Sequence, residues 1–347
     1  MKKTYLNRLI CLVLSLVLII FLTGCQGAPL GSKTDEFFAL DTVINLTAYA
    51  ENPEACIEAG KAEIRRLESL LSVTKKGSDI FKINNSEGEE IKVSAETYQL
   101  LEKALEISSL TSGKFDPTLR NLSSLWGFGT ENAHVPTQSE IDNSIKTVGI
   151  ENIVLSKNKV KLLNNTKIDL GGIAKGYIAD KAAEAMINAG MSYGIINLGG
   201  NVRTVGAKQD KAPWKIGVKY PDANSHFLII ECEDISIVTS GGYQRKFNQN
   251  SKTYHHILNP ETGYPADSDI KSVTVIGKDG TLCDGLSTAL FVGGSEFSKE
   301  LCQDNKSFDI IILTENDEIL ASENLRGRLT LESPYQNMKI TYIDTAE

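Results

Sequence analysis

The residues best able to do chemistry lie in four short stretches of this 347-residue chain. Asp169 to Tyr177 reads DLGGIAKGY, an acidic residue, a glycine pair, a lysine and a third glycine that run into an alanine-rich helical segment. A chain turning on two glycines into a helix presents free backbone N–H groups at the positive end of the helix dipole, which makes an anion site. Glycine lets a phosphate approach the backbone, and Lys175 adds a point charge. The spacing is neither that of a P-loop nor that of the dinucleotide fingerprint. A tight strand-to-helix turn with a solvated lysine is the plainer alternative. Cys283 to Phe291, CDGLSTALF, sets Asp284 and Thr288 four apart and so on one helix face. A carboxylate and a hydroxyl are hard oxygen ligands suited to Mg²⁺ and unsuited to zinc, with Ser287 a third oxygen nearby. Here the plainer alternative is an N-cap aspartate followed by an ordinary helical threonine.

Tyr254 to Pro265, YHHILNPETGYP, holds two of the four histidines ahead of an Asn-Pro-x-x-Gly-Tyr-Pro loop. Proline fixes φ and glycine supplies a left-handed position, so such a loop holds its groups still. His256 can then serve as general base or ligand contact, or simply be a hydrogen-bonded loop histidine. In Gly113 to Gly129, GKFDPTLRNLSSLWGFG, the aromatics Phe115, Trp126 and Phe128 stand beside Asp116 and Thr118. They could bracket a planar ring, with core aromatics as the alternative.

Elements must carry these groups. Thr42 to Tyr49 alternates apolar and polar residues and predicts a strand. Ile57, Ile64, Leu67 and Leu71 recur at helical spacing, and Ser94 predicts the N-cap of a second amphipathic helix bearing Leu101, Leu105 and Ser108. The segments NIVLS, KVKLL and KIDL read as short strands, the last ending at Leu170 just before the glycine turn. A helix from about Ala174 carries Ile178, Ala182, Ala185, Met186 and Ala189 and stops at Gly190. YGIINLGGN, WKIGVKYP, FLIIE, SIVTSG and SVTVIG are strand-like; a helix begins near Cys283, and FDIIILT and KITYI complete the sheet. Helices and strands mix without regular βα alternation. The expectation is therefore an α+β fold, with mixed or antiparallel sheets and flanking helices, in one domain without a linker.

The start of the chain is read separately. Lys2, Lys3 and Arg8 precede an apolar run, Ile10 to Leu22, that ends in Leu22-Thr23-Gly24-Cys25. A basic n-region, a short h-region and small residues before a cleavage point describe an export signal. Leu-x-Gly-Cys is the lipobox of lipoprotein signal peptidase, which predicts a signal over 1–24 and a lipidated N-terminus at Cys25. The run is short for a span of ~20 residues. The expected location is the outer face of a bacterial cell membrane, with lipid chains as anchor. Residues 25–36 read as a polar tether, and 37–347 as the functional domain. A hydrophobic fraction of 41% and a charged fraction of 23% are those of a globular protein. Net charge of −8 argues against nucleic acid as a partner. Cys56, Cys232, Cys283 and Cys302 show no zinc-type spacing and are expected mainly as buried free thiols.

Taken in order, FDPT…LWGFG, IDLGGIAKGY, NLGGN, TSGGYQR, HHILNPETGYP and CDGLSTALF resemble the FAD:protein FMN transferases, the ApbE-type lipoproteins, over nearly the whole mature chain. The resemblance implies a single ApbE-type, T-fold-like domain. It implies FAD as substrate and Mg²⁺, or Mn²⁺, as cofactor. The FMN half would pass to a Thr or Ser hydroxyl of an exported acceptor protein, as a phosphoester, with release of AMP. It further implies metal ligands at Gly172 (carbonyl), Asp284 and Thr288, with Ser287 a ligand in some relatives. Flavin contacts fall on Leu40, Lys114, Phe115, Asp116, Asp169, Lys175 and Leu258, and His256 would activate the hydroxyl. An FAD pyrophosphatase on the same scaffold and a non-catalytic flavin-binding lipoprotein are the alternatives. This chain departs from the family pattern in three places. Leu40-Asp41-Thr42 stands where Met-Gly-Thr is common, an aromatic near Thr74 is missing, and Arg120 replaces a usual glycine.

Overall fold

Two-residue periodicity, broken by tight turns, builds most of the molecule. The computed structural model describes residues 30–221 and 223–344, so the signal segment and Cys25 lie outside the described residues. In chain order the strands are β1 (Gly31–Ala39), β2 (Thr42–Ala50), β3 (Ile91–Lys92), β4 (Ile153–Ser156), β5 (Lys159–Leu162), β6 (Tyr193–Leu198), β7 (Asn201–Val205), β8 (Trp214–Lys219), β9 (His226–Cys232), β10 (Ser236–Gly241), β11 (Lys246–Gln249), β12 (Lys252–His255), β13 (Ile270–Gly277), β14 (Phe308–Thr314), β15 (Ile319–Ser322), β16 (Leu329–Leu331) and β17 (Ile340–Ile343). The helices are α1 (Pro53–Leu71), α2 (Asp79–Asn84), α3 (Ala95–Leu110), α4 (Arg120–Trp126), α5 (Gln138–Ile145), α6 (Ala174–Asn188) and α7 (Gly280–Gln303).

Nine strands form the central sheet in the order β1-β2-β6-β7-β10-β13-β14-β15-β17. Neighbours are antiparallel except β15 and β17, which are parallel. Helices α1, α6 and α7 pack one face and enclose the main core. The small sheet β16-β9-β8 covers part of the other face through Phe227, Leu228 and Ile230. Central β13 and β14 are almost wholly buried because both of their faces are covered, whereas β1 at the edge alternates. The α+β architecture with antiparallel sheets and flanking helices is the one expected.

Local signals behave as their chemistry dictates. Asn52 caps α1, with Pro53 in the first turn, and Ile57, Ile64, Leu67 and Leu71 face the core. Ser94 caps α3 by accepting the Thr97 N–H. Cys56, Cys232, Cys283 and Cys302 are buried free thiols.

Three expectations are corrected. Residues 31–36 are strand and not tether, because β1 pairs with β2 along its whole length, from Gly31 opposite Ala50 to Ala39 opposite Thr42. Their polarity reflects one water-facing side of an edge strand. KIDL is not a strand: Lys167 makes one isolated bridge to Leu119, and the Ile168 N–H and C=O are both taken by the Asn84 side-chain amide. A side chain thus stands in for the missing ladder partner. Helix α7 begins at Gly280, with Asp279 as its cap on the Leu282 N–H, and is interrupted at Gly294 (φ 83°). Asp284 therefore lies more than a turn inside the helix, and its carboxylate is free of capping duty for α7.

Candidate active site

The site lies where the starts of α6 and α7 meet. Ile173, at the N-cap of α6, supplies no capping side chain. The Asp284 carboxylate crosses from α7 to accept the Gly176 N–H at 2.9 Å. A carboxylate at a helix start is stabilised by the dipole. The two helices approach this closely because residue 176 has no side chain: a Cβ there would sit 2.0 Å from the Gly280 carbonyl oxygen. The turn before α6 also uses its own donors. The Gly171 N–H goes to Asp169 at 2.9 Å, and the Ile173 and Ala174 N–H groups go to the Leu170 carbonyl. The expected phosphate cradle of free N–H groups is thus largely satisfied within the protein, because a buried donor seeks the nearest acceptor.

What the glycine turn contributes is room. A Cβ on Gly172 would lie 3.4 Å from Thr288 Oγ1 and 3.2 Å from Phe115 Cε2. Gly172 and Thr288 are therefore neighbours, and Asp284 is one helical turn from Thr288. Asp284 is only 4% exposed, and burial holds its carboxyl above the usual carboxylate range. The Lys175 charge and the N–H groups at the start of α6 pull it the other way. Asn201 lies beside it, 2% exposed and close enough to help draw the carboxyl's pKa down, and among the described residues neither of its amide atoms meets hydrogen-bond geometry. A buried carboxylate, an unpartnered amide, a threonine hydroxyl and a nearby backbone carbonyl form an all-oxygen donor set that fits a hard divalent cation. Ser287 stands apart from this set. Its hydroxyl donates to the Asp284 carbonyl at 2.8 Å and meets Ser240 Oγ at 2.8 Å, with the residue fully buried. In this arrangement it braces α7 against β10.

The second wall is the loop after β12. His256 donates its backbone N–H to the Arg245 carbonyl at 3.0 Å, and its buried Nδ1 has no partner among the described residues. Burial first, then the charges of Arg245 and Lys175, push the imidazole down to about 4. It is therefore neutral in neutral water, with a lone pair to accept a proton. Lys175 stands in the field of both Asp284 and His256, which ties the two walls together.

The remaining expected residues surround this centre. Lys114 reaches across to Glu261 of the Asn259–Pro265 loop, 2.7 Å away. Phe115 is buried against Gly172. Asp116 accepts the N–H and hydroxyl of Thr118 and closes its own turn. Asp169 pairs with Arg120 at 3.4 Å, which accounts for an arginine at that position. Leu40 and Asp41 take positive φ (54° and 56°) in the β1–β2 turn, and the Leu40 N–H is held by Glu68. Leu258 is buried in a small aromatic cluster and bridges Pro265. The suggestion that Trp126 brackets a planar ring is overturned. It is fully buried, stacks on Phe128 at 5.6 Å and donates its indole N–H to the Gly263 carbonyl, fixing the histidine loop from behind. Asn201 and Arg245 are site residues that spacing did not single out. They lie in NLGGN and TSGGYQR, whose only signal was their order along the chain.

Fold and site together define a class: an α+β protein with a buried oxygen donor set, a lysine and a neutral histidine converging where a phosphoryl group could be handled. The chain belongs to the ApbE family, whose model matches residues 40–312. It is 34% identical over 285 residues to the FAD:protein FMN transferase of Klebsiella pneumoniae (strain 342), which covers 80% of this chain and 88% of that protein. The FAD:protein FMN transferase of Treponema pallidum (strain Nichols) is 28% identical over 340 residues, covering 90% and 94%. Among solved structures, the ApbE protein of Thermotoga maritima superposes with a TM-score of 0.81 at 36% identity, covering 86% of this chain and 99% of that one. The flavin transferase ApbE of Vibrio cholerae gives 0.76 at 25% identity, covering 90% and 100%.

Proposed function

We propose that this chain is a Mg²⁺-dependent FAD:protein FMN transferase, lipidated at Cys25 on the outer face of a bacterial cell membrane. It would move the FMN half of FAD onto a Thr or Ser hydroxyl of an exported acceptor protein. The hydroxyl oxygen attacks the FMN-side phosphorus of the pyrophosphate and the bond to the AMP phosphate breaks. The hydroxyl proton passes to His256, and AMP leaves with its oxygen. The reaction makes little demand beyond placement and charge neutralisation. Gly172, through its carbonyl, and the Asp284 and Thr288 side chains are the residues that would hold Mg²⁺. Bound there, the cation would offset charge on the pyrophosphate. Lys175 is near enough to both Asp284 and His256 to bias their charges, and would bind a phosphate and balance its charge. An arriving anion raises the basicity of His256, because it screens the two cations that depress it.

One observation carries this reading. Gly172 and the pair Asp284 and Thr288, more than a hundred residues apart, meet beside a lysine and a neutral histidine, and every donor among the three is an oxygen. The test incubates the enzyme with FAD, Mg²⁺ and an exported protein bearing a candidate acceptor threonine. In-gel flavin fluorescence on the acceptor is expected. AMP release without a labelled protein would point instead to FAD hydrolysis, and FAD bound but intact under every metal would point to flavin carriage.

A further inference from the structure

We propose that the outer edge of β12 is the docking site of the acceptor polypeptide, which adds there as a third strand and so delivers its hydroxyl to His256. The inference rests on the transfer reading above and names the surface that reading requires. Strands β11 and β12 form a two-stranded ribbon. The His256 N–H extends its ladder to the Arg245 carbonyl. Antiparallel pairs alternate between hydrogen-bonded and open. With Arg245–His256 bonded, the backbone groups of Tyr254 and Lys252 point toward β11, and those of Thr253 and His255 point to the outer edge.

A little farther along, that same edge is already occupied by the chain itself. The Ala266 N–H donates to the Ile257 carbonyl at 2.9 Å, and Leu258 bridges Pro265. Past Ala266 the chain leaves the edge for β13. Among the described residues, no backbone partner is found for Thr253 or His255 on this side. A cavity of about 580 Å³ borders the ribbon here, lined by Thr253 and His255 of β12, by Lys246 of β11, and by Ala266, Asp267 and Ser268 of the chain that leaves the edge. Its volume is within the ~300–1,000 Å³ of ordinary ligand sites. An extended chain advances ~3.3 Å per residue, so four residues along β12 span roughly 13 Å.

Two features select a polypeptide as occupant. None of the residues implied for flavin or metal lines this cavity, so the flavin does not claim it. An open strand edge recognises main chain, with side-chain pockets beside it, and this suits a segment of another protein. The next residue after the open edge is His256, so an added strand continuing the line of Pro265 and Ala266 runs up to the base.

The test uses the full-length chain and an acceptor protein that the wild type labels. Thr253→Pro removes one outward N–H and is tolerated where the N–H faces away from the ladder. It is expected to lower kcat/KM for the acceptor roughly tenfold, the effect of one lost hydrogen bond and a blocked path. FAD affinity should be unchanged. Thr253→Val keeps the backbone and should transfer as wild type does. The inference is overturned if Thr253→Pro labels the acceptor as well as wild type. It is equally overturned if FAD affinity falls in parallel, since the edge would then act through the histidine loop. Failure of the wild type to label any acceptor would overturn the transfer reading, and this inference with it.

Discussion

Asp284 and His256 concentrate the chemistry at the scale of single residues. One oxygen of Asp284 is bound to the Gly176 N–H, which aims the carboxylate across the helix junction. Asp284→Ala is expected to abolish turnover and its dependence on Mg²⁺ together. It also orphans a buried N–H, which costs about 1–3 kcal/mol. Turnover across a Mg²⁺ titration and the urea midpoint check both, and full turnover would remove Asp284 from the metal set. His256→Ala is expected to slow transfer by ~10²–10⁴-fold, the usual share of a general base, while FAD affinity holds. Equal loss of both would make the histidine structural. Since kcat/KM reports the free enzyme, its acid limb belongs near pH 4. A limb near ~6.5, the value of an unperturbed imidazole, would show the histidine freed of that depression, and a limb that persists in His256→Ala would exclude it as the base. The same depression has a stability consequence with a definite sign. The unfolded chain takes up this proton first, so stability declines as pH falls from ~6.5 through about 4. His256→Gln should flatten that part of a Tm–pH curve.

Among the elements, the crossing of α6 and α7 decides the site. A Cβ at position 176 would meet the Gly280 carbonyl carbon at 2.6 Å and Asp284 Cβ at 2.8 Å, and backbone cannot swing aside. Gly176→Ala is therefore expected to destabilise by about 1–3 kcal/mol, as overpacking does. It should weaken Mg²⁺ affinity as well, because the helices must part. Denaturation midpoints and calorimetry read the two effects, and a variant indistinguishable from wild type in both would show the crossing to be slack. Periodicity made α1, α3, α6 and most strands legible, because their pattern repeats over many residues. It misread KIDL, whose partner is the Asn84 amide, and residues 31–36, whose polar side faces water at a sheet edge. In both cases the deciding group is remote in sequence or lies in the solvent.

For the molecule as a whole, anchoring and assembly matter. The lipidation proposed at Cys25 predicts that Cys25→Ala moves the chain from the membrane fraction to the soluble fraction, with FAD affinity retained. Persistence in the membrane would point to a different anchor. The sequence by itself determined the α+β class, the family through six ordered stretches, and the residue types of the site. These are legible because residue chemistry, short periods and motif order are all written along one dimension. Only the tertiary structure decided which of those residues face one another. It set Gly172 against Thr288, gave Asp284 to the N–H of Gly176, set Ser287 against Ser240, withdrew Trp126 into packing, and brought Asn201 and Arg245 into the site. The reason is that a side chain's partner is set by which element packs beside it. Distances of 3 Å between residues more than a hundred positions apart leave no trace in local spacing.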